Sequence, residues 1–150
     1  MTVKLNAKID HVGIAVADLA GAANAMQTLG FACTEQGQLD ASPMQGYPGL
    51  NARWAFYGSG GERSPLLLLQ PLSAEGPIHD FLRAREGGAQ HLAFAVDDLD
   101  QVHATLSRAG VRFARSEPFV DPDGNRSHFF SIAAIPGLLF ELIQWAKRPA

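Results

Sequence analysis

The sequence has little that would suit secretion, a membrane or a nucleic acid. Cys33 is the single cysteine among 150 residues, so no disulfide can form within the chain, and we expect a cytoplasmic location. No apolar run approaches the roughly 20 residues that span a bilayer, and the first residues lack the apolar core of a signal peptide. The net charge is -3 without a basic cluster. We therefore expect one domain, residues 1–150, with no membrane or nucleic-acid partner.

An internal repeat dominates what the sequence does contain. The segment IDHVGIAVADL at residues 9–19 returns as AQHLAFAVDDL at residues 89–99, and the histidines of the two copies coincide. Apolar residues at helical spacing follow each copy, and Gly30 or Gly110 then supplies a stop. Each copy predicts a strand, a turn opened by an aspartate cap, and an amphipathic helix.

Shorter apolar segments extend the repeat to two modules. Strands are predicted after each helix, and a long loop rich in Gly, Pro and Ser at residues 36–49 interrupts the first set. The predicted fold class is α+β, with two pseudo-symmetric βαβββ modules. Module one spans residues 5–72, a linker helix spans 76–86, and module two spans 88–147, with predicted strands at 30–35, 51–57, 66–70, 111–115, 126–133 and 138–145.

Polar residues on the inner face of these strands are candidate ligands. The residues that share a strand face with His11 and His91 are Gly or Ala, so the side chains on that face are small. The opposite face carries bulkier side chains and should meet the helices. Glu141 stands in an apolar run, where a carboxylate is costly without a partner or a cation. Leu67 is its counterpart in module one. Of four equivalent inward positions, three can therefore bind a metal: His11, His91 and Glu141.

Two neutral imidazoles and one carboxylate suit a divalent ion such as Co, Mn, Ni, Zn or Fe, and they leave positions for a substrate. A single histidine of this kind is also compatible with a hydrogen-bonded core residue. Because two stand at equivalent positions beside a carboxylate, we favour a metal site. His79 and His103 are expected to be solvated, and Cys33 is expected to be a small buried apolar residue.

His128 is a further candidate. A tight turn at residues 136–137 would pair Glu141 with Ile132, which places His128 on the face of Glu141. Glu141 and His128 are therefore the candidate acid or base residues of the site.

The chain resembles the vicinal oxygen chelate superfamily, which contains glyoxalase I, ring-cleaving dioxygenases and bleomycin-resistance proteins. Within it, the likeness is greatest to the methylmalonyl-CoA epimerases. The resemblance implies paired βαβββ modules that form curled mixed sheets around a central metal pocket, with His11, His91 and Glu141 at ligand positions. That family usually has Gln or Glu where this chain has Leu67. The resembling segments are residues 9–19, 77–82, 91–99, 124–126 and 139–144.

This resemblance implies a divalent-metal epimerase or isomerase that forms an enolate from an acyl-CoA-like substrate, and a homodimer. Leu67 leaves two histidines and one glutamate, the set of non-heme Fe(II) dioxygenases, which is the first alternative. The second alternative is a metal-free protein that binds a small molecule, as antibiotic-resistance proteins of this fold do.

Overall fold

The computed structural model describes residues 5–39, 51–58 and 66–146. None of the helices in these ranges is long and apolar enough to cross a membrane. The order βαβββ occurs before and after helix α2, so the predicted α+β class and paired modules are confirmed. The elements are β1 Ala7–Ala15, α1 Leu19–Thr28, β2 Ala32–Leu39, β3 Ala52–Gly58, β4 Leu66–Pro71, α2 Pro77–Arg85, β5 Gly88–Val96, α3 Leu99–Arg108, β6 Phe119–Val120, β7 Arg126–Ser131 and β8 Leu139–Gln144.

The chain divides into two compact units. The first unit is residues 11–90, and the second unit combines residues 1–10 with residues 91–150. The divisions lie inside β1 and β5, directly before His11 and His91, so each of these strands begins in one unit and continues in the other. The predicted module boundaries lie instead outside these strands, and the single domain stays a prediction.

In the first unit the strand order is β2-β3-β4-β1, with β1 parallel to β4 and β3 antiparallel to it. Side chains alternate between the two faces of this sheet. Leu68 packs with Tyr57 and the apolar residues of α1. Leu67 and Leu69 lie on the other face, where Ile78 of α2 covers them. The bulky face of β1 does meet a helix, as predicted, because Ile14 and Val16 pack in the α1 cluster.

In the second unit the strand order is β5-β8-β7-β6, with β5 parallel to β8 and β7 antiparallel to β8. The apolar core lies between this sheet and α3. It leaves the opposite face of β5 and β8 to His91, Ala93 and Glu141. The buried members of the core are Val96, Leu99, Leu106, Phe130, Phe140 and Leu142.

Both repeat helices end as the sequence predicts. Gly30 and Gly110 have φ angles of 87° and 95°, the left-handed region that a side chain disfavours. The next residue in each copy donates its backbone N–H to the last turn, from Phe31 to Met26 O at 2.9 Å and from Val111 to Leu106 O at 3.0 Å. The orphan carbonyls of the two helices are thus satisfied in the same way.

At the start of each of these helices, a glutamine side chain accepts a backbone hydrogen bond that was not predicted from the sequence. Gln70 Oε1 accepts a hydrogen bond from the N–H of Leu19 at 2.8 Å, and Gln144 Oε1 accepts one from Leu99 at 2.8 Å. The predicted aspartate cap is present on α3, where Asp98 accepts from Gln101, but Asp18 makes no such bond on α1. A glutamine from the last strand of each module therefore joins the strand end to the helix start.

Three other predictions about local structure were wrong. Residues 111–115 do not form a strand, because Phe113 makes only an isolated bridge to Phe130, and the short strand β6 lies at residues 119–120. Cys33 is exposed, since β2 is exposed from Ala32 to Gln38. Residues 36–39 of the predicted loop belong to β2, and the remainder lies outside the described residues.

Candidate metal centre

Glu141 of the second unit is a buried carboxylate with two polar neighbours. Its Oε1 accepts a hydrogen bond from the Ser127 hydroxyl at 2.9 Å. Its Oε2 lies 3.3 Å from His91 Nε2, and both side chains are less than a tenth exposed. The carboxylate is therefore fixed through one oxygen, and its second oxygen is directed to the imidazole.

The spacing of this pair fits a shared metal ion. Two atoms that each lie about 2.1 Å from one ion, at an angle of about 90–109°, are about 3.0–3.4 Å apart. The separation of 3.3 Å between His91 Nε2 and Glu141 Oε2 falls in that range. Imidazole nitrogen and carboxylate oxygen are also ligand types that a first-row divalent ion accepts.

His11, in the first unit, is also buried, with 2% of its surface exposed. Phe56 contacts its ring edge to face, with centroids 5.5 Å apart and planes at 88°. Leu67 lies opposite Phe56 in the sheet and opposite Gly13 of β1, so it shares the face of His11. This face therefore offers one imidazole in apolar surroundings.

His91 has the same kind of aromatic neighbour. Phe129 contacts its ring edge to face, with centroids 6.5 Å apart and planes at 85°. Phe129 lies opposite Glu141 in the sheet, as Phe56 lies opposite Leu67. The predicted equivalence of Leu67 and Glu141 therefore holds at the level of strand register.

The register predicted for β7 and β8 was wrong, and with it the place of His128. Glu141 pairs with Phe129 rather than Ile132, so His128 pairs with Leu142 and lies on the opposite face from Glu141. The connection is longer than a tight turn, because residues 132–138 lie between the two strands. Within it, Ile135 N donates a hydrogen bond to Ile132 O at 2.9 Å. The observed register therefore gives no support to His128 as an acid or base of the site.

His128 instead belongs to an aromatic stack beneath α3. Its ring is parallel to that of His103, with centroids 3.9 Å apart, and Phe113 contacts both rings. His103 is half-buried, so its predicted solvation was wrong too. Burial, with smaller contributions from the neighbouring His103 and Arg126, lowers the pKa of His128 from 6.5 to about 4.

The sequence analysis also missed Ser127. With the observed register, Ser127 lies two residues before Phe129 and hence on the face of Glu141. The incorrect turn prediction had assigned Ser127 to the face opposite Glu141.

Comparison with known proteins assigns this architecture to a family. Residues 10–130 match the profile of the Glyoxalase/Bleomycin resistance protein/Dioxygenase superfamily. The chain belongs to this superfamily. Within it, the chain is close to methylmalonyl-CoA epimerase, as its sequence predicted.

Three relatives in the superfamily show this closeness. An ethylmalonyl-CoA/methylmalonyl-CoA epimerase of Cereibacter sphaeroides is 31% identical, over 91% of this chain and 97% of that protein. The crystal structure of methylmalonyl-CoA epimerase from Mycobacterium tuberculosis has a TM-score of 0.79 at 30% identity, over 98% of this chain and 94% of that one. A Streptomyces coelicolor epimerase variant in complex with 2-nitronate-propionyl-CoA has a TM-score of 0.75 at 30% identity, over 93% of this chain and 98% of that one.

Proposed function

We propose that the protein is a divalent-metal enzyme of the epimerase type, which moves the α-proton of an acyl-CoA-like thioester. His11, His91 and Glu141 are its metal ligands. The observation that carries this proposal is the buried pair of His91 and Glu141, whose 3.3 Å spacing suits two ligands of one ion. The epimerase relatives support the reaction type and a small-molecule substrate.

The third ligand is proposed from chemistry and from the repeat. His11 occupies in the first copy the position of His91 in the second, and all three side chains are buried and offer a ligand atom. As a set they could hold a divalent ion. A cofactor of this kind, whether Co, Mn, Ni, Zn or Fe, would polarise the thioester carbonyl and stabilise the negative charge that develops on its oxygen.

The chain's own side chains have separate tasks in this proposal. The Ser127 hydroxyl holds Glu141 Oε1, so that Oε2 keeps its orientation beside His91. Phe56 and Phe129 each pack on one of the two histidines and limit the access of water to them.

A base must also remove the α-proton. The contacts of Glu141 with Ser127 and His91 occupy both carboxylate oxygens, which supports a ligand role more than the predicted role as base. The predicted homodimer and cytoplasmic location stay predictions.

The test is exchange of the substrate α-proton. Protein purified without chelators is loaded with Co²⁺ and incubated with 2-methylmalonyl-CoA in D₂O, and ¹H NMR follows the α-proton signal. We expect the signal to decay with the parent protein and to persist with Glu141→Ala or His91→Ala. His79→Ala removes a histidine outside the proposed ligand set and should exchange normally. Equal exchange by the parent and Glu141→Ala would contradict the proposal.

Leu67 favours a second candidate. With an apolar residue at the position equivalent to Glu141, the ligands are two histidines and one glutamate, the set used by non-heme Fe(II) dioxygenases. Oxygen consumption by the iron-loaded protein in the presence of substrate, without α-proton exchange, would favour this candidate. Failure to take up any metal would remove both candidates and leave the metal-free binding protein.

A further inference from the structure

We propose that Glu35, on strand β2, is the base that removes the α-proton of the substrate. This inference rests on the proposed function, since it takes as substrate a thioester bound at the ion of His11. Both carboxylate oxygens of Glu141 are already in contact, one with Ser127 and one with His91, so the proposed reaction needs a base from elsewhere.

Glu35 lies on the His11 face of the first unit. β2 is antiparallel to β3, and Glu35 is the cross-strand partner of Phe56. Directly opposite residues of an antiparallel pair send their side chains to the same face. Phe56 contacts the ring of His11 on that face. The Glu35 side chain therefore starts beside a residue that touches the proposed ligand.

Gly37, the next residue of β2 on this face, supports the assignment. It follows Glu35 by two residues and is the partner of Trp54. A Cβ at residue 37 would lie 2.7 Å from Trp54 Cζ2, so the side-chain direction there is toward the indole. Trp54 in turn contacts Phe56 edge to face. Because side chains alternate along a strand, residues 35 and 37 share this face.

A β-bulge gives Glu35 its direction. The pairing of β2 with β3 shifts by one residue between Cys33, which faces Tyr57, and Glu35, which faces Phe56. Tyr57 packs in the α1 cluster, on the opposite face of the sheet. Without the bulge, alternation would direct Cys33 and Glu35 to that same face. Bulges that redirect one side chain in this way are common beside active sites.

No other carboxylate competes for this role on the described strands of the first unit. On β1, β3 and β4 the His11 face carries histidine, glycine and apolar residues, and Asp10 of β1 is at the opposite parity, where Trp145 Nε1 donates to it. The Glu35 side chain is exposed, and no described residue donates a hydrogen bond to its carboxylate. Glu35 can thus accept a proton without losing a structural contact.

The proposed step is a single proton transfer. The α-carbon C–H bond breaks, an O–H bond forms on the Glu35 carboxylate, and the electron pair of the C–H bond passes into the thioester as an enolate. Because the side chain is exposed, its proton exchanges with solvent. In D₂O, Glu35 then returns a deuteron to the α-carbon.

The experiment compares the parent protein with Glu35→Gln, both loaded with Co²⁺. We expect α-proton exchange of 2-methylmalonyl-CoA in D₂O to slow by at least about 100-fold, the contribution of a positioned general base. The Co²⁺ dissociation constant from isothermal titration should not change, because Glu35 is not a ligand. Glu75→Gln, which removes another exposed carboxylate of the first unit, should exchange at the parent rate. Parent-rate exchange by Glu35→Gln, or its loss of Co²⁺ affinity, would overturn the inference.

The double variant Glu35→Gln, Gln36→Glu is the matched control. It keeps the net charge of β2 but moves the carboxylate to residue 36, opposite Ala55 on the α1 face. We expect it to exchange as slowly as Glu35→Gln. Recovery of the parent rate would show a general effect of negative charge on β2 and would overturn the inference.

A second readout does not depend on turnover. Oxalate carries negative charge on neighbouring oxygens, as the enolate does, and it can bind Co²⁺ through them. Because like charges near a protein surface repel each other strongly at about 4 Å, Glu35→Gln should bind oxalate at least about threefold more tightly than the parent. Unchanged oxalate affinity would place the carboxylate away from the bound ligand and would overturn the inference.

The two proposals fail differently. A parent protein that neither binds Co²⁺ nor exchanges the α-proton contradicts the proposed function. A parent that does both, together with a Glu35→Gln variant that exchanges equally fast, contradicts only this inference.

Discussion

The two modules share a strand register but carry different side chains at three equivalent positions of their sheets. The second module has Glu141, Ser127 and His128. The first has Leu67, Trp54 and Ala55. Two of these changes are on the histidine face and one is on the helix face. The last strand of each module pairs with the first strand and with the third strand in the same register in both modules. A repeated backbone thus fixes where side chains are presented, whereas a few substitutions decide which module supplies a charged ligand.

The largest expected effect comes from making the second module like the first at one position. Glu141→Leu should weaken metal binding by more than about 100-fold, since loss of an outer-shell partner alone costs about 10–100-fold. The substitution also removes the acceptor of the buried Ser127 hydroxyl and a polar neighbour of His91, so the metal-free variant should unfold at a lower urea midpoint than the metal-free parent. Metal analysis of the dialysed protein measures the first effect. Retention of one ion per chain would contradict it.

The repeat helices allow the next comparison. α1 has no buried residue, whereas α3 buries Leu99 and Leu106. Leu106→Ala should therefore lower the free energy of unfolding by about 2–5 kcal/mol. Met26→Ala, at the equivalent position of α1, should cost clearly less, because Met26 is only half-buried. Urea denaturation of both variants checks this, and equal costs would show that the helices contribute alike.

The stack of His128 on His103 has no counterpart at Ala55 in the first module, and it should make stability depend on pH. Because the pKa of His128 is lowered to about 4 from 6.5, the unfolded chain takes up a proton before the folded chain does as pH falls. Stability present above pH 6.5 should be lost between about pH 6.5 and pH 4, by about 3 kcal/mol at most. His128→Phe should remove this pH dependence of the free energy of unfolding, measured by urea denaturation at several pH values. The control His79→Ala should keep it.

The smallest expected effect tests a feature that the modules share. Gln70→Ala and Gln144→Ala each remove a hydrogen bond of 2.8 Å to a helix start. Each should lower the free energy of unfolding by about 1 kcal/mol, as loss of a helix cap does. Similar costs in thermal denaturation are expected. A much larger loss of unfolding free energy for one variant would show that the two glutamine hydrogen bonds are not equivalent.

Much of the fold could be predicted from the repeat, because a strand period, a helix period and a stop glycine occur twice in the same order. His11, His91 and Glu141 were predicted as metal ligands because polar residues are rare in apolar strands; the structure shows that all three are buried, and their role as ligands stays a prediction. Register was harder to predict, since it depends on how many residues a connection uses. The connection at residues 132–138 is longer than the predicted turn, so the observed register of β7 against β8 differs from the predicted one by three residues. Ser127 and His128 therefore lie on the faces opposite to those predicted.

The hydrogen bonds from the helix starts to Gln70 and Gln144, and the stack beneath α3, could not be predicted for a different reason. Each depends on a contact between residues far apart in the chain, such as Leu99 with Gln144, or His103 with His128. Periodicity reports which side of an element is apolar. It does not report which distant polar group will satisfy a helix end.

The division of the chain has a consequence for the order of events on the ribosome. The first unit is one continuous segment, residues 11–90, so all of its contacts are available once that segment has emerged. The second unit joins residues 1–10 to residues 91–150, and Trp145 Nε1 donates to Asp10 Oδ1 at 3.0 Å across almost the whole chain. The early half of β1 must therefore wait until Trp145 has been synthesised to gain this partner. His11 is made first, but the pair of His91 and Glu141 can form only after β8 has been synthesised.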